Sequence, residues 1–159
     1  MKTLIVYDSL YGHTQQIAEA IKEGLGSAHD ARVVRAQEVQ TTDFENIGLL
    51  LIGSPTHGGW YTESIKTLLE KIPEGSLEGL CAVTFDTSTL SDNHGFVVNA
   101  LTRLFGNAAP RISKELMKRG ANCVDSEIFY VVGKQGPLIN GEVERARNWA
   151  GKLMKKAVK

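Results

Sequence analysis

Six consecutive residues, Ser9-Leu10-Tyr11-Gly12-His13-Thr14, carry the clearest chemistry in this chain. Two hydroxyls bracket a glycine immediately before an amphipathic run. A helix starting at such a loop leaves its first N–H groups unpaired and carries roughly half a positive charge at that end. A phosphate placed there gains hydrogen bonds and field together. Ser9 and Thr14 add hydroxyl donors, and Gly12 permits close backbone approach or positive φ. No Lys or Arg stands in the loop, so neutral dipoles must do most of the holding. The chain has no G-x-x-x-x-G-K-[ST] segment and no G-x-G-x-x-G after its first apolar run, which excludes two other phosphate motifs. Ser and Thr also cap helices and Gly also makes turns, so this loop decides nothing alone.

The elements that must position the loop alternate in pattern. Thr3 to Tyr7 is a short apolar run and predicts a buried strand. Thr14 to Leu25 places Ile17, Ala18, Ile21 and Leu25 on one helical face, and Gly26 stops it. Ala31 to Ala36 reads as strand two, followed by a turn near Asp43 to Asn46. Gly48 to Gly53 is strand three, apolar throughout as a strand covered on both faces should be. Thr62 to Ile72 is a helix ended by Pro73, and Leu80 to Phe85 is strand four. Phe96 to Phe105 and Arg111 to Arg119 form one broken helix or two. Asn122 to Val132 is strand five, and Gly141 to Val158 the last helix. Five strands separated by helices imply an α/β three-layer sandwich around a parallel sheet with right-handed crossovers. Ligands of such sheets sit beyond the strand C-terminal ends, where strand order reverses. The loops after strands one, three and four are therefore the candidate site, and they are rich in Gly, Ser, Thr and His.

With these loops in place, the chain resembles the flavodoxin family. S-L-Y-G-H-T is similar to that family's [ST]-x-T-G-x-T phosphate loop, with Tyr11 at the third position in place of Thr. The S-x-Y-G-H form resembles FMN-dependent quinone reductases built on the same fold. The resemblance spans the chain and implies one flavodoxin-like domain over residues 1–159, with sheet order 2-1-3-4-5. It implies FMN as cofactor, its phosphate held by Ser9, Leu10, Tyr11, Gly12, His13 and Thr14. Gly53-Ser54-Pro55-Thr56 resembles the family's G-[CST]-[PS]-T stretch. It implies that Pro55, Thr56, His57, Gly58, Gly59 and Trp60 cover one face of the isoalloxazine ring. Pro55 rigidifies the approach, the glycines let the chain pass flat against a planar ligand, and Trp60 is favoured over His57 for stacking by its area. The resemblance also implies that the peptide beginning at His57 or Gly58 reorients when flavin N5 gains a proton. In the third loop it implies contacts from Asp86, Thr87, Leu90, His94, Gly95 and Phe96 along the pyrimidine edge. That loop has no Tyr or Trp, so Leu90, His94 or Phe96 covers the second face or leaves it open to a substrate.

The implied function is a low-potential FMN electron carrier. Open beside it are an FMN-dependent NAD(P)H:quinone reductase and, more distantly, a flavin-free interaction module of the same fold. A phosphoacceptor receiver domain shares the sheet order, and Asp8, Thr87 and Lys134 fit its pattern. It needs a carboxylate after strand three, where this chain has Gly53-Ser54-Pro55. No acid/base pair or nucleophile is evident, and Asp8 receives no catalytic role.

Bulk properties bound the rest. The length of 159 residues fits one domain whose core needs no metal or disulfide. Zero formal net charge gives no basis for nucleic-acid binding. It also departs from the acidic surface that steers typical flavodoxins to basic partners. The first half is net acidic and the second net basic, and the basic run from Arg145 to Lys159 suits the negative end of a helix dipole. No run approaches a membrane span or a signal-peptide core. Cys81 and Cys123 form no CxxC and read as buried core thiols in a reducing cytoplasm. The expected partners are redox proteins or small electron acceptors, with the chain a monomer or homodimer.

Overall fold

The apolar runs become one parallel sheet of five strands: β1 (Lys2–Tyr7), β2 (Asp30–Arg35), β3 (Leu49–Pro55), β4 (Cys81–Thr89) and β5 (Asn122–Val131). The computed structural model describes residues 1–89 and 106–157. Strand order is β2-β1-β3-β4-β5, as expected. The described helices are α1 (His13–Leu25), α2 (Glu63–Lys71), α3 (Ala108–Lys118) and α4 (Glu142–Ala157). The helix expected over residues 96–105 lies outside the described residues. No described helix is long and apolar enough to cross a membrane.

Strand side chains alternate between two cores, as a period of two dictates. Leu4, Val6, Leu50 and Ile52 pack against Ile65, Leu68 and Leu69 of α2 and Ile112 and Leu116 of α3. Ile5, Tyr7, Leu49, Leu51, Val83 and Phe85 pack against Ile17, Ala18 and Ile21 of α1 and Ala146, Trp149 and Leu153 of α4. Each Val, Leu, Ile or Phe among them contributes about 1.5–3 kcal/mol on full burial. The two layers hold the C-terminal ends of β1, β3, β4 and β5 at one edge.

Three expectations change. β4 does not end at Phe85 but continues to Thr89, so half of the expected third loop is strand. Its backbone finds partners on both sides: Ser54 and Pro55 of β3, and the end of β5 from Ile128 to Val131. Pairing those N–H and C=O groups outweighs the polar side chains, and Thr is a good strand former. The helix expected at Arg111 begins at Ala108. Pro110 stands in its first turn, where a missing N–H costs no hydrogen bond. Cys81 and Cys123 are free and only partly buried. They pack on opposite faces of the sheet. Burial still pushes both thiols up, Cys123 to about 11.

Gly53 in β3 is a packing requirement. A Cβ there would lie 2.1 Å from the ring of Phe85, which is fully buried. Gly53→Ala should destabilise the protein by about 1–3 kcal/mol through overpacking, measured as a lowered denaturant midpoint. An unchanged midpoint would mean that the Phe85 ring can pivot.

Candidate functional site

β1 delivers the phosphate-loop sequence to the sheet edge and Asp8 fixes it there. The Asp8 carboxylate is buried. It accepts from Ser9 N (2.9 Å), Thr62 Oγ1 (2.6 Å) and Gln37 Nε2 (3.3 Å), with Arg35 Nε at 3.8 Å. Arg35 Nη2 also donates to the Ser9 carbonyl at 2.5 Å. One carboxylate thus joins the ends of β1 and β2 to the start of α2. Its position directly after the first strand was the available sequence signal.

Within the loop, Gly12 has φ +88° and stands at the N-cap of α1. Its N–H donates to Ser9 Oγ at 2.9 Å, which leaves the Ser9 hydroxyl hydrogen free to donate elsewhere. Thr14 Oγ1 and Thr87 Oγ1 share a buried hydrogen bond of 2.8 Å, so one of those two hydrogens remains available. No described side chain caps the first turn of α1, and that turn holds no acidic residue.

The N-terminus of α3 faces the same edge and is satisfied from within. Ala108 N donates to Thr56 Oγ1 (3.0 Å) and Ala109 N to Asp86 Oδ2 (2.9 Å). Asp86 also accepts from Ser88 Oγ (2.8 Å), and Asn107 Nδ2 reaches Ser88 Oγ (3.0 Å). Burial pushes the Asp86 carboxyl up to about 6, while hydrogen bonds from Ala109, Ser88, Asn107 and Thr56 pull the other way. The Asp86 side chain therefore holds the second and third loops to α3 rather than facing the cleft.

After β3, residues 57–60 form a tight turn. His57 N donates to Trp60 O and Trp60 N to His57 O, both at 2.9 Å. Gly58 and Gly59 have φ +55° and +78°, the positive pair a type I′ turn requires. Arg111 of α3 clamps this turn. Its Nε donates to Gly59 O at 2.7 Å and its guanidinium lies 4.0 Å from the centre of the Trp60 ring. The peptide between Gly58 and Gly59 alone has no partner among the described residues. Rotating it breaks neither pinned bond.

The edge carries a solvent-open cleft. Of the expected residues, Ser9, Leu10, Tyr11, His13, Thr14, Pro55, Thr56, His57 and Thr87 line it. Gly12, Gly58, Gly59, Trp60 and Asp86 are not in its wall, and Leu90, His94, Gly95 and Phe96 lie outside the described residues. His57, not Trp60, is the second-loop aromatic at the wall, because Arg111 holds Trp60 against α3. Sequence reading missed Thr89, Val131 and Lys134, which complete the lining. Lys134 follows β5, so its place at the C-terminal edge was the signal available. Among the described lining residues there is no carboxylate, which suits an anionic ligand. An uncapped helix start, loop hydroxyls and a nearby planar-faced side chain together fit a flavin phosphate and ring.

Comparison with known proteins bears on the family and the fold. The family model described as flavodoxin matches residues 5–149. A flavodoxin from Aquifex aeolicus is 26% identical over 125 residues, covering 66% of this chain and 68% of that protein. The solved structure of flavodoxin 2 from Bacillus cereus superimposes with a TM-score of 0.75 at 22% identity, covering 98% of this chain and 99% of that one. A flavodoxin from the domain Archaea gives 0.75 at 18% identity over 100% of both chains.

The buried Asp86 predicts a pH signature. Its native pKa lies above the ordinary carboxylate value of 3.8, so the native state binds more protons between that value and about 6. Stability from this group is therefore lost as pH rises through that window, by up to about 3 kcal/mol. Asp86→Asn should abolish that component. The stability difference between wild type and variant should move against wild type from pH 4.5 to 7.5, read from unfolding midpoints. A constant difference would mean that Asp86 ionises without penalty.

Proposed function

The chain belongs to the flavodoxin family, whose cofactor is FMN, and we propose that it works as a low-potential carrier of single electrons. The observation that carries this reading is the contrast between two helix starts at one sheet edge. α3 is capped by Thr56 and Asp86, whereas α1 opens uncapped beside Ser9 and Gly12. An uncapped N-terminus with hydroxyl neighbours and no acid in its first turn is suited to a phosphate.

Bound FMN supplies the electron-accepting ring system. The chain's residues bind and orient it. The loop from Ser9 to Thr14 fixes the phosphate, and Pro55, Thr56 and His57 border the ring. The Gly58 peptide offers a backbone group free to turn towards a proton on the ring. The partners of such a carrier would be redox proteins. Two free thiols on opposite sheet faces support a reducing, cytoplasmic setting.

Tyr11 favours a second reading. It stands half-exposed at the cleft in the S-x-Y-G-H form, and it suits a protein that reduces quinones or similar acceptors with NAD(P)H.

The purified protein should be yellow or should turn yellow on uptake of added FMN. Anaerobic titration with dithionite, followed in the visible spectrum, should proceed in two resolved one-electron steps. A single two-electron step with NAD(P)H turnover would favour the reductase. A colourless protein that takes up no FMN would overturn both.

A further inference from the structure

Resting on the FMN reading and extending it, we infer that Lys134 is the counter-charge to the flavin phosphate and makes the site select FMN over the unphosphorylated flavin. The phosphate loop contains no cation, and the cleft wall acquires its only ammonium, among the described residues, from beyond β5.

The segment carrying Lys134 is built to reach the cleft. Beyond β5 the chain folds back on itself, with Ile139 N donating to Tyr130 O (2.9 Å) and Val132 N to Pro137 O (2.8 Å). Gly136 N donates to Gly133 O (3.0 Å), closing a turn with Lys134 in its second position. A latch ties that turn to the phosphate loop. His13 Nε2 lies 2.8 Å from Gln135 O. A carbonyl only accepts, so Nε2 carries the proton. Gly136 makes the approach possible: its φ is +86°, and a Cβ there would lie 2.1 Å from His13 Nε2. The turn is thereby held over the start of α1, and Lys134 lines the cleft with Ser9, Tyr11, His13 and Thr14. No acidic side chain among the described residues pairs with Lys134. A flexible ammonium near a dianion held on neutral dipoles forms charge-assisted hydrogen bonds. Because the turn is tied to the start of α1, the effect of Lys134 is expected on the phosphate rather than on the ring.

The test uses the full chain freed of flavin and titrated with FMN and with riboflavin, followed by flavin fluorescence at low and high salt. Wild type should prefer FMN, with the preference shrinking as salt screens the pair. Lys134→Met should weaken FMN binding roughly tenfold and leave riboflavin binding unchanged, whereas Lys134→Arg should retain most of the preference. Equal weakening of both flavins by Lys134→Met, or of neither, overturns the role of Lys134. A wild-type chain that takes up neither flavin overturns the FMN reading itself.

Discussion

A helix start with no cap holds several N–H groups that point at nothing, and the rest of the site is arranged around keeping one such start open. α1 begins at Gly12 in a left-handed conformation, with no side chain among the described residues capping its first turn. A free serine hydroxyl beside such a start can fold over and cap it. Ser9 instead takes the N–H of Gly12, one residue before the helix, and Thr14 is held by Thr87 from β4. The dipole and donors remain directed at the cleft, where a phosphate can replace water.

Keeping the loop in that position requires ties to elements distant in sequence. Asp8 binds the loop to β2 through Arg35 and to α2 through Thr62. Asp86 does the corresponding work across the cleft, joining β4 to α3. Burying this second carboxylate is unfavourable for its charged form, and four hydrogen-bonding groups only partly offset the penalty. The benefit is geometric. Thr56 and Asp86 satisfy the start of α3, so one of two neighbouring helix dipoles is closed and the other open.

The same division between fixed and free runs through the second loop. His57, Trp60 and Arg111 pin the turn at three carbonyls, and the one peptide left unpinned among the described residues lies between two glycines. A rotation there exchanges primed turn types at little steric cost. Local freedom at one peptide with rigidity on either side is what a site needs if the backbone is to respond to a proton on its ligand without moving the ligand.

Much of this was legible in the sequence. Periodicity gave the five strands and the described helices, because one-face and two-face burial impose periods of 3.6 and 2. The Gly, Ser and Thr content of the loops marked the phosphate edge, because each loop's backbone conformation is set locally. What the tertiary structure decided is where particular side chains end. Trp60 had the larger ring, yet Arg111, far along the chain, draws it to α3 and leaves His57 at the wall. Asp86 read as a loop residue, yet β5 extends β4 past it and α3 claims its carboxylate. Lys134 was not among the expected phosphate contacts, yet His13 latches its turn onto that loop. Local sequence was enough to set the backbone of the candidate site. Only the fold determined which side chains serve it, because a side chain's direction depends on partners that sequence distance does not reveal.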